Sequence, residues 1–123
     1  MPRVLIVDDN DSIRRLVRKI LERVNYEAQD AHDGVEAIEI LGRESFDAIV
    51  LDLMMPRANG FAVMKFLADE QPEALRITVV LTADSTRWDD PNLRGVASVL
   101  RKPFAIDDLL TAVRACCGSA ESS

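Results

Sequence analysis

Runs of consecutive apolar residues and stripes of apolar residues at helical spacing take turns along this chain. Val4, Leu5, Ile6 and Val7 make Arg3 to Asp8 a buried strand, since an unbroken apolar run of that length suits a strand covered on both faces. Ile13, Leu16, Val17, Ile20, Leu21 and Val24 then recur at helical spacing, with Arg14, Arg15, Arg18, Lys19 and Arg23 on the other face. Glu27 to Ala31 reads as a weak, polar strand near a sheet edge. Val35, Ala37, Ile38 and Leu41 predict a second helix after Gly34. Phe46 to Asp52 is the clearest buried strand, with no charge between Asp47 and Asp52.

The Pro and Gly content of Met54 to Gly60 marks a loop, and Phe61, Val63, Met64, Phe66 and Leu67 predict a third helix ended by Gln71 and Pro72. Arg76 to Thr82 and Val96 to Leu100 read as a fourth and a fifth strand. A last helix is expected from about Ile106 to Cys116, with Asp107 and Asp108 in the first turn, where the helix dipole favours negative charge. Gly118 to Ser123 reads as a frayed tail, so the boundaries are a domain over 1–118 and a flexible tail over 119–123. Between Asp84 and Gly95 a fourth helix is due, but Asp89, Asp90 and Pro91 interrupt any regular run, which predicts a short or distorted one. The alternation elsewhere predicts an α/β fold, a parallel sheet with helices on both faces.

Composition narrows the field. A chain of 123 residues, 48% hydrophobic, suits one domain with a real core, and no stretch is long or apolar enough to span a bilayer. Met1 to Asp8 runs straight into a strand holding an aspartate, unlike a signal peptide. A net charge of −6 argues against direct nucleic-acid binding, which needs a basic patch. Cys116 and Cys117 are adjacent on a helix and point about 100° apart, which predicts one thiol packed inside and one nearer solvent. Without a disulfide framework or a targeting segment, a reducing cytoplasm is the expected compartment.

The chemistry lies where the strands end. Asp8 and Asp9 follow the first strand, Asp52 ends the third, Thr82 the fourth, and Lys102 and Pro103 follow the fifth. Loops at the carboxyl ends of parallel strands share one edge, where ligands bind, so these dispersed residues are expected to meet in one acidic pocket. Each aspartate alone reads more simply as a helix cap or a strand end. Three carboxylates together repel one another unless a cation sits between them, and aspartates with a loop carbonyl are the hard oxygen ligands that Mg²⁺ uses. An aspartate also attacks phosphorus to form an acyl phosphate, and Asp52 ends the most buried strand. Lys102 brings a fixed positive charge for phosphoryl oxygens, Thr82 a hydroxyl donor, and the small Ala83 leaves room for a phosphodonor.

Val-Asp-Asp-Asn at 7–10, Leu-Asp-Leu-Met-Met-Pro-Arg-Ala-Asn-Gly at 51–60, Leu-Thr-Ala at 81–83 and Lys-Pro-Phe at 102–104 resemble the receiver domain of bacterial two-component response regulators, over essentially the whole chain. The resemblance implies a doubly wound, flavodoxin-like fold with five parallel strands in the order 2-1-3-4-5. It implies that Asp52 is the phosphoacceptor and that Asp9, Asp52 and the Met54 carbonyl bind Mg²⁺, with Asp8 helping through water. Thr82 and Lys102 would contact the phosphoryl group, and a cis bond before Pro103 would aim Lys102 inward. The implied donor is a sensor histidine kinase or a histidine phosphotransfer protein, docking on the first helix near Ile13, Arg14, Val17 and Arg18. With no DNA-binding or catalytic module after Gly118 in this sequence, output is expected through a protein partner, as in stand-alone chemotaxis-like regulators; if the chain is a piece of a longer protein, the missing module decides the output.

Two positions depart from that pattern. Receivers carry Tyr or Phe where this chain has Val99, and Pro91 falls in the expected fourth helix, so the switch is expected to be movement of Ser85 to Gly95 itself, pulled by Thr82. Two other classes compete. Aspartyl phosphatases of the haloacid-dehalogenase type need a second aspartate two residues after the nucleophile, where this chain has Met54. A degenerate receiver, acting as a phosphorylation-independent interaction module, is favoured by Val99 and Pro91 and opposed by the complete acidic pocket.

Overall fold

Five parallel strands form one sheet in the order β2-β1-β3-β4-β5, with helices on both faces. The computed structural model describes residues 1–53, 60–83, 93 and 95–121, without the side chains of 118–121. The strands are β1 (Arg3–Val7), β2 (Glu27–Ala31), β3 (Ala48–Asp52), β4 (Thr78–Thr82) and β5 (Ser98–Arg101). The helices are α1 (Asp11–Arg23), α2 (Gly34–Leu41), α3 (Gly60–Glu70) and α4 (Ile106–Glu121), with a 3₁₀ turn over Pro72–Ile77. Architecture and strand order are those expected, with β2 at an edge.

Alternating strand residues face opposite sides of the sheet, so each apolar run feeds two cores. Leu5, Val7, Ile49, Leu51 and Val80 pack with Ala37, Ile40, Leu41, Val63, Met64 and Leu67 beneath α2 and α3. Val4, Ile6, Ala48, Val50, Val79 and Leu81 pack with Val17, Ile20, Leu21, Leu109 and Val113 beneath α1 and α4. All five residues of β3 and of β4 are buried, which is why those runs carry apolar residues at every position up to the strand ends. The edge strand β2, with only Ala31 buried, tolerates Glu27, Gln29 and Asp30.

Several boundaries differ from expectation: the first strand ends at Val7, one residue before Asp8, and the third starts at Ala48, two residues after Phe46. The fourth strand starts at Thr78, because Pro72–Ile77 winds into a 3₁₀ turn and the Thr78 hydroxyl donates to the Ala74 carbonyl at 2.7 Å. The fifth strand is Ser98–Arg101. The last helix passes Cys116, and the expected tail from Gly118 is helical as far as Glu121. Buried Leu109, Val113 and Cys117 recur every four residues, so packing continues the helical stripe up to Cys117. Cys117 is buried and Cys116 only partly so, both as free thiols, as the sequence predicted. The expected fourth helix lies outside the described residues apart from Leu93, which packs under α3, and Gly95. Among the described residues no helix is long and apolar enough to cross a membrane.

Candidate functional site

The carboxyl ends of β1, β3, β4 and β5 deliver the candidate residues to one edge. Just beyond β1, Asp8 is 1% exposed, and its backbone N–H donates to the Ala31 carbonyl at 3.2 Å. Asp9 is exposed, and Asn10 turns the chain into α1 by accepting from the N–H groups of Ser12 and Ile13 at 2.9 and 3.1 Å. The Asn10 N–H in turn donates to Asp8 Oδ1 at 2.9 Å. Asp52, the last residue of β3, is 4% exposed. Thr82 is fully buried at the end of β4, and its carbonyl accepts from the Lys102 N–H at 2.9 Å.

Lys102 reaches back across the edge. Its Nζ stands 3.2 Å from Asp8 Oδ2 and 3.2 Å from Asp52 Oδ2, and the peptide bond to Pro103 is cis. Asp8, Asp9 and Asp52 each offer a carboxylate oxygen, all within 4.8 Å of one another. One ammonium thus faces three carboxylates, leaving the pocket short of positive charge. The pKa of Asp8 rises to about 6, chiefly because burial strips its solvent, with repulsion from Asp52 adding to the rise; the Asn10 N–H and Lys102 pull the other way.

These residues fit a small divalent cation. Oxygens around Mg²⁺ at about 2.1 Å stand about 3 to 4 Å apart, so side chains spread over 4.8 Å close on such an ion with small rotations. The fourth ligand the sequence named, the Met54 carbonyl, lies outside the described residues. Ala83 is exposed beside the pocket, and Val99 packs on the core under α2 and α3.

Gly60 was legible only as a loop marker, yet a Cβ there would lie 2.6 Å from the Asp52 carbonyl oxygen and 2.6 Å from Leu53 Cα. Only glycine lets α3 begin this close to the aspartate-bearing strand end. Arg14 and Val17 need correcting as docking residues. Val17 is fully buried, and the Arg14 side chain is 13% exposed, turned to Asp8 and Asp30 instead of solvent. Asp30 on β2 and the Asp8 carbonyl draw the guanidinium of Arg14 back against the sheet. The open surface beside the pocket is an apolar groove of about 340 Å³ lined by Ile13, Leu16, Lys102, Pro103, Phe104 and Ile106.

A doubly wound sheet whose ligand edge carries a carboxylate cluster and a converging lysine defines a class of α/β domains built to handle phosphate and metal. The comparisons narrow that class. The family model described as response regulator receiver domain matches residues 4–114, and the chain belongs to that family, that of two-component response regulators. It is 40% identical over 114 residues to the response regulator MprA of Mycobacterium ulcerans, covering 92% of this chain and 49% of the relative. The same regulator of Mycobacterium avium is 39% identical over 114 residues. The chain therefore spans about half the length of these curated relatives.

Solved structures agree. The Francisella response regulator 1452 receiver domain superposes with a TM-score of 0.87 at 30% identity, covering 98% of this chain and 99% of that one. The Thermotoga maritima response regulator TrrA, solved in complex with Mg²⁺-BeF, superposes at 0.86 with 29% identity, covering 94% and 99%.

Proposed function

We propose that this receiver, residues 1–118, accepts a phosphoryl group on Asp52 from the phosphohistidine of a sensor histidine kinase or histidine phosphotransfer protein in a Mg²⁺-dependent reaction. A carboxylate oxygen of Asp52 forms the new bond to phosphorus as the P–N bond breaks, and the imidazole nitrogen keeps the electron pair and takes up a proton. The observation that carries this reading is the Lys102 ammonium 3.2 Å from both Asp8 and Asp52, beside an Asp9 that completes the carboxylate cluster. Lys102 holds the transferring oxygens, Thr82 donates to one of them, and Ala83 leaves the approach open. Asp8, Asp9, Asp52 and the Met54 carbonyl would hold the Mg²⁺, which supplies charge neutralisation for the phosphoryl oxygens.

The domain acts as a signalling switch, assisting only its own phosphorylation and dephosphorylation. The kinase or phosphotransfer protein docks on the apolar groove between α1 and the β5–α4 connection, next to Lys102. Replacing the single negative charge of Asp52 with an acyl phosphate of about −1.5 to −2 biases a two-state element, proposed to be the Ser85 to Gly95 segment in place of a route through Val99, and output passes to a protein target in the cytoplasm. The acidic balance of −6 supports a protein target over direct contact with nucleic acid.

Incubation with acetyl phosphate and Mg²⁺, read by intact mass, tests the reading. One added phosphoryl group, absent from Asp52→Asn and from samples with chelator, is the expected result. Multiple turnover would instead mark a phosphatase, and no adduct a phosphorylation-independent module.

A further inference from the structure

Arg14 is absorbed by none of the roles above, yet its side chain has three partners behind the pocket. Its Nη1 donates to the Asp8 backbone carbonyl at 2.7 Å, just past the end of the strand ladder. Its Nη2 pairs with Asp11 one turn earlier on α1, and its Nε lies 3.4 Å from Asp30 Oδ2 on β2. That Nε is buried and makes no hydrogen bond, so the head is held by the ion pair and by the bond to Asp8. Arg18, the next turn along, also grips β2, donating to the Ala28 carbonyl at 2.9 Å and pairing with Asp30. Asp30 thus fixes both arginines, and only Arg14 reaches forward to the carboxylate-bearing segment.

The bond matters because of what lies on either side of it. The Asp8 side chain is tethered by the Asn10 N–H and by Lys102. Among the described residues no hydrogen bond or ion pair holds the Asp9 carboxylate, so its direction depends on the backbone that carries it. The Asp8 carbonyl is the acceptor half of the Asp8–Asp9 peptide plane. Fixing that oxygen fixes the plane and so aims Asp9 toward Asp52.

We propose that Arg14 is a positioning residue for the metal pocket, holding the Asp8–Asp9 peptide in the orientation that brings the Asp9 carboxylate to the cation, with Asp30 as its anchor on β2. The inference rests on the Mg²⁺ chemistry proposed for the receiver. Its sign separates it from simple electrostatics. Arg14 is a positive charge behind a cation site, so by charge alone its removal tightens Mg²⁺ binding, the more so with Asp11 left uncompensated and Asp30 left to Arg18 alone. Loss of positioning weakens binding, and outer partners of this kind are worth about ten- to hundredfold in metal affinity.

Calorimetric titration of the chelator-treated chain with MgCl₂ at fixed ionic strength tests this, alongside hydrogen exchange of the Asn10 amide without metal. Arg14→Met is expected to weaken Mg²⁺ about tenfold and to speed Asn10 exchange. Arg14→Lys recovers part of the loss, because one ammonium can meet the Asp8 carbonyl but cannot span Asp11 and Asp30 as well. Asp30→Asn gives a smaller weakening of the same sign. Arg3→Ala, which removes the arginine bound to Glu44 at the opposite end of β1, leaves both readouts unchanged whatever it does to stability. If Arg14→Met does not fold, Arg14→Lys, which leaves the net charge unchanged, carries the comparison. A parent chain that takes up no Mg²⁺ overturns the receiver chemistry and this inference with it. A parent that binds while the Arg14 variants bind as well or better, with Asn10 exchange unmoved, overturns this inference alone.

Discussion

Replacing Asp8 with asparagine keeps the shape of the side chain and removes one of the carboxylates crowded at the pocket. The raised pKa of Asp8 gives the size of the effect. A carboxyl whose folded-state pKa lies above its unfolded value binds its proton more tightly in the native chain, so native stability falls as pH rises through that interval. Here the interval runs from the ordinary 3.8 to about 6, and the separation of about two units corresponds to about 3 kcal/mol of strain at pH 7. Part of that is offset in the variant, because Lys102 loses one of its two carboxylates and keeps only Asp52 at 3.2 Å. A net gain of about 1–2 kcal/mol is expected for Asp8→Asn at pH 7 without metal, or roughly 4–8 °C in melting temperature.

Thermal melts followed by circular dichroism, in chelator, from pH 3.5 to 7.5, are the assay. The two proteins should converge toward about pH 3.5, where Asp8 is mostly protonated folded and unfolded, and diverge up to about pH 6, with the parent the less stable. Mg²⁺ at ten times its dissociation constant should return about 1.4 kcal/mol to the parent and much less to the variant. A gap of either sign that does not change between pH 4 and 7 would refute the claim that burial and Asp52 strain Asp8.

Three further substitutions probe the same edge. Gly60→Ala drives a methyl into the Asp52 carbonyl and Leu53 Cα, so urea unfolding should show about 1–3 kcal/mol of lost stability; a neutral result would mean that α3 starts further from β3 than described. Lys102→Met leaves Asp8 and Asp52 facing each other without their ammonium, and carboxyl-carbon NMR in chelator should find Asp8 titrating above about pH 6. An unchanged midpoint would remove Lys102 from the pocket's charge balance. Asn10→Ala deletes the cap that serves the Ser12 and Ile13 amides, with an expected loss of about 1 kcal/mol in chemical denaturation, while the residue-10 amide still donates to Asp8.

By itself the sequence determined the layout. Uncharged runs such as Ala48–Leu51 and Val79–Leu81 can only be strands covered on both faces, the stripe from Ile13 to Leu21 can only be a helix laid on them, and their alternation leaves a parallel doubly wound sheet. It also placed Asp8, Asp9, Asp52, Thr82 and Lys102 at strand ends, because strand ends are where an apolar run stops. Tertiary structure alone decided how those groups meet. Periodicity put Arg14 on a polar helix face, but a long side chain can fold back to a neighbouring strand, and only the packing of α1 beside Asp30 shows that it does. Gly60 read as a loop residue until the Asp52 carbonyl came within reach of its missing Cβ. The last helix outran its expected end because Cys117 found a place in the core. Apolar spacing is a property of one segment and is written locally, whereas distances between segments, and the charge balance they impose on Asp8, exist only once the chain has closed on itself.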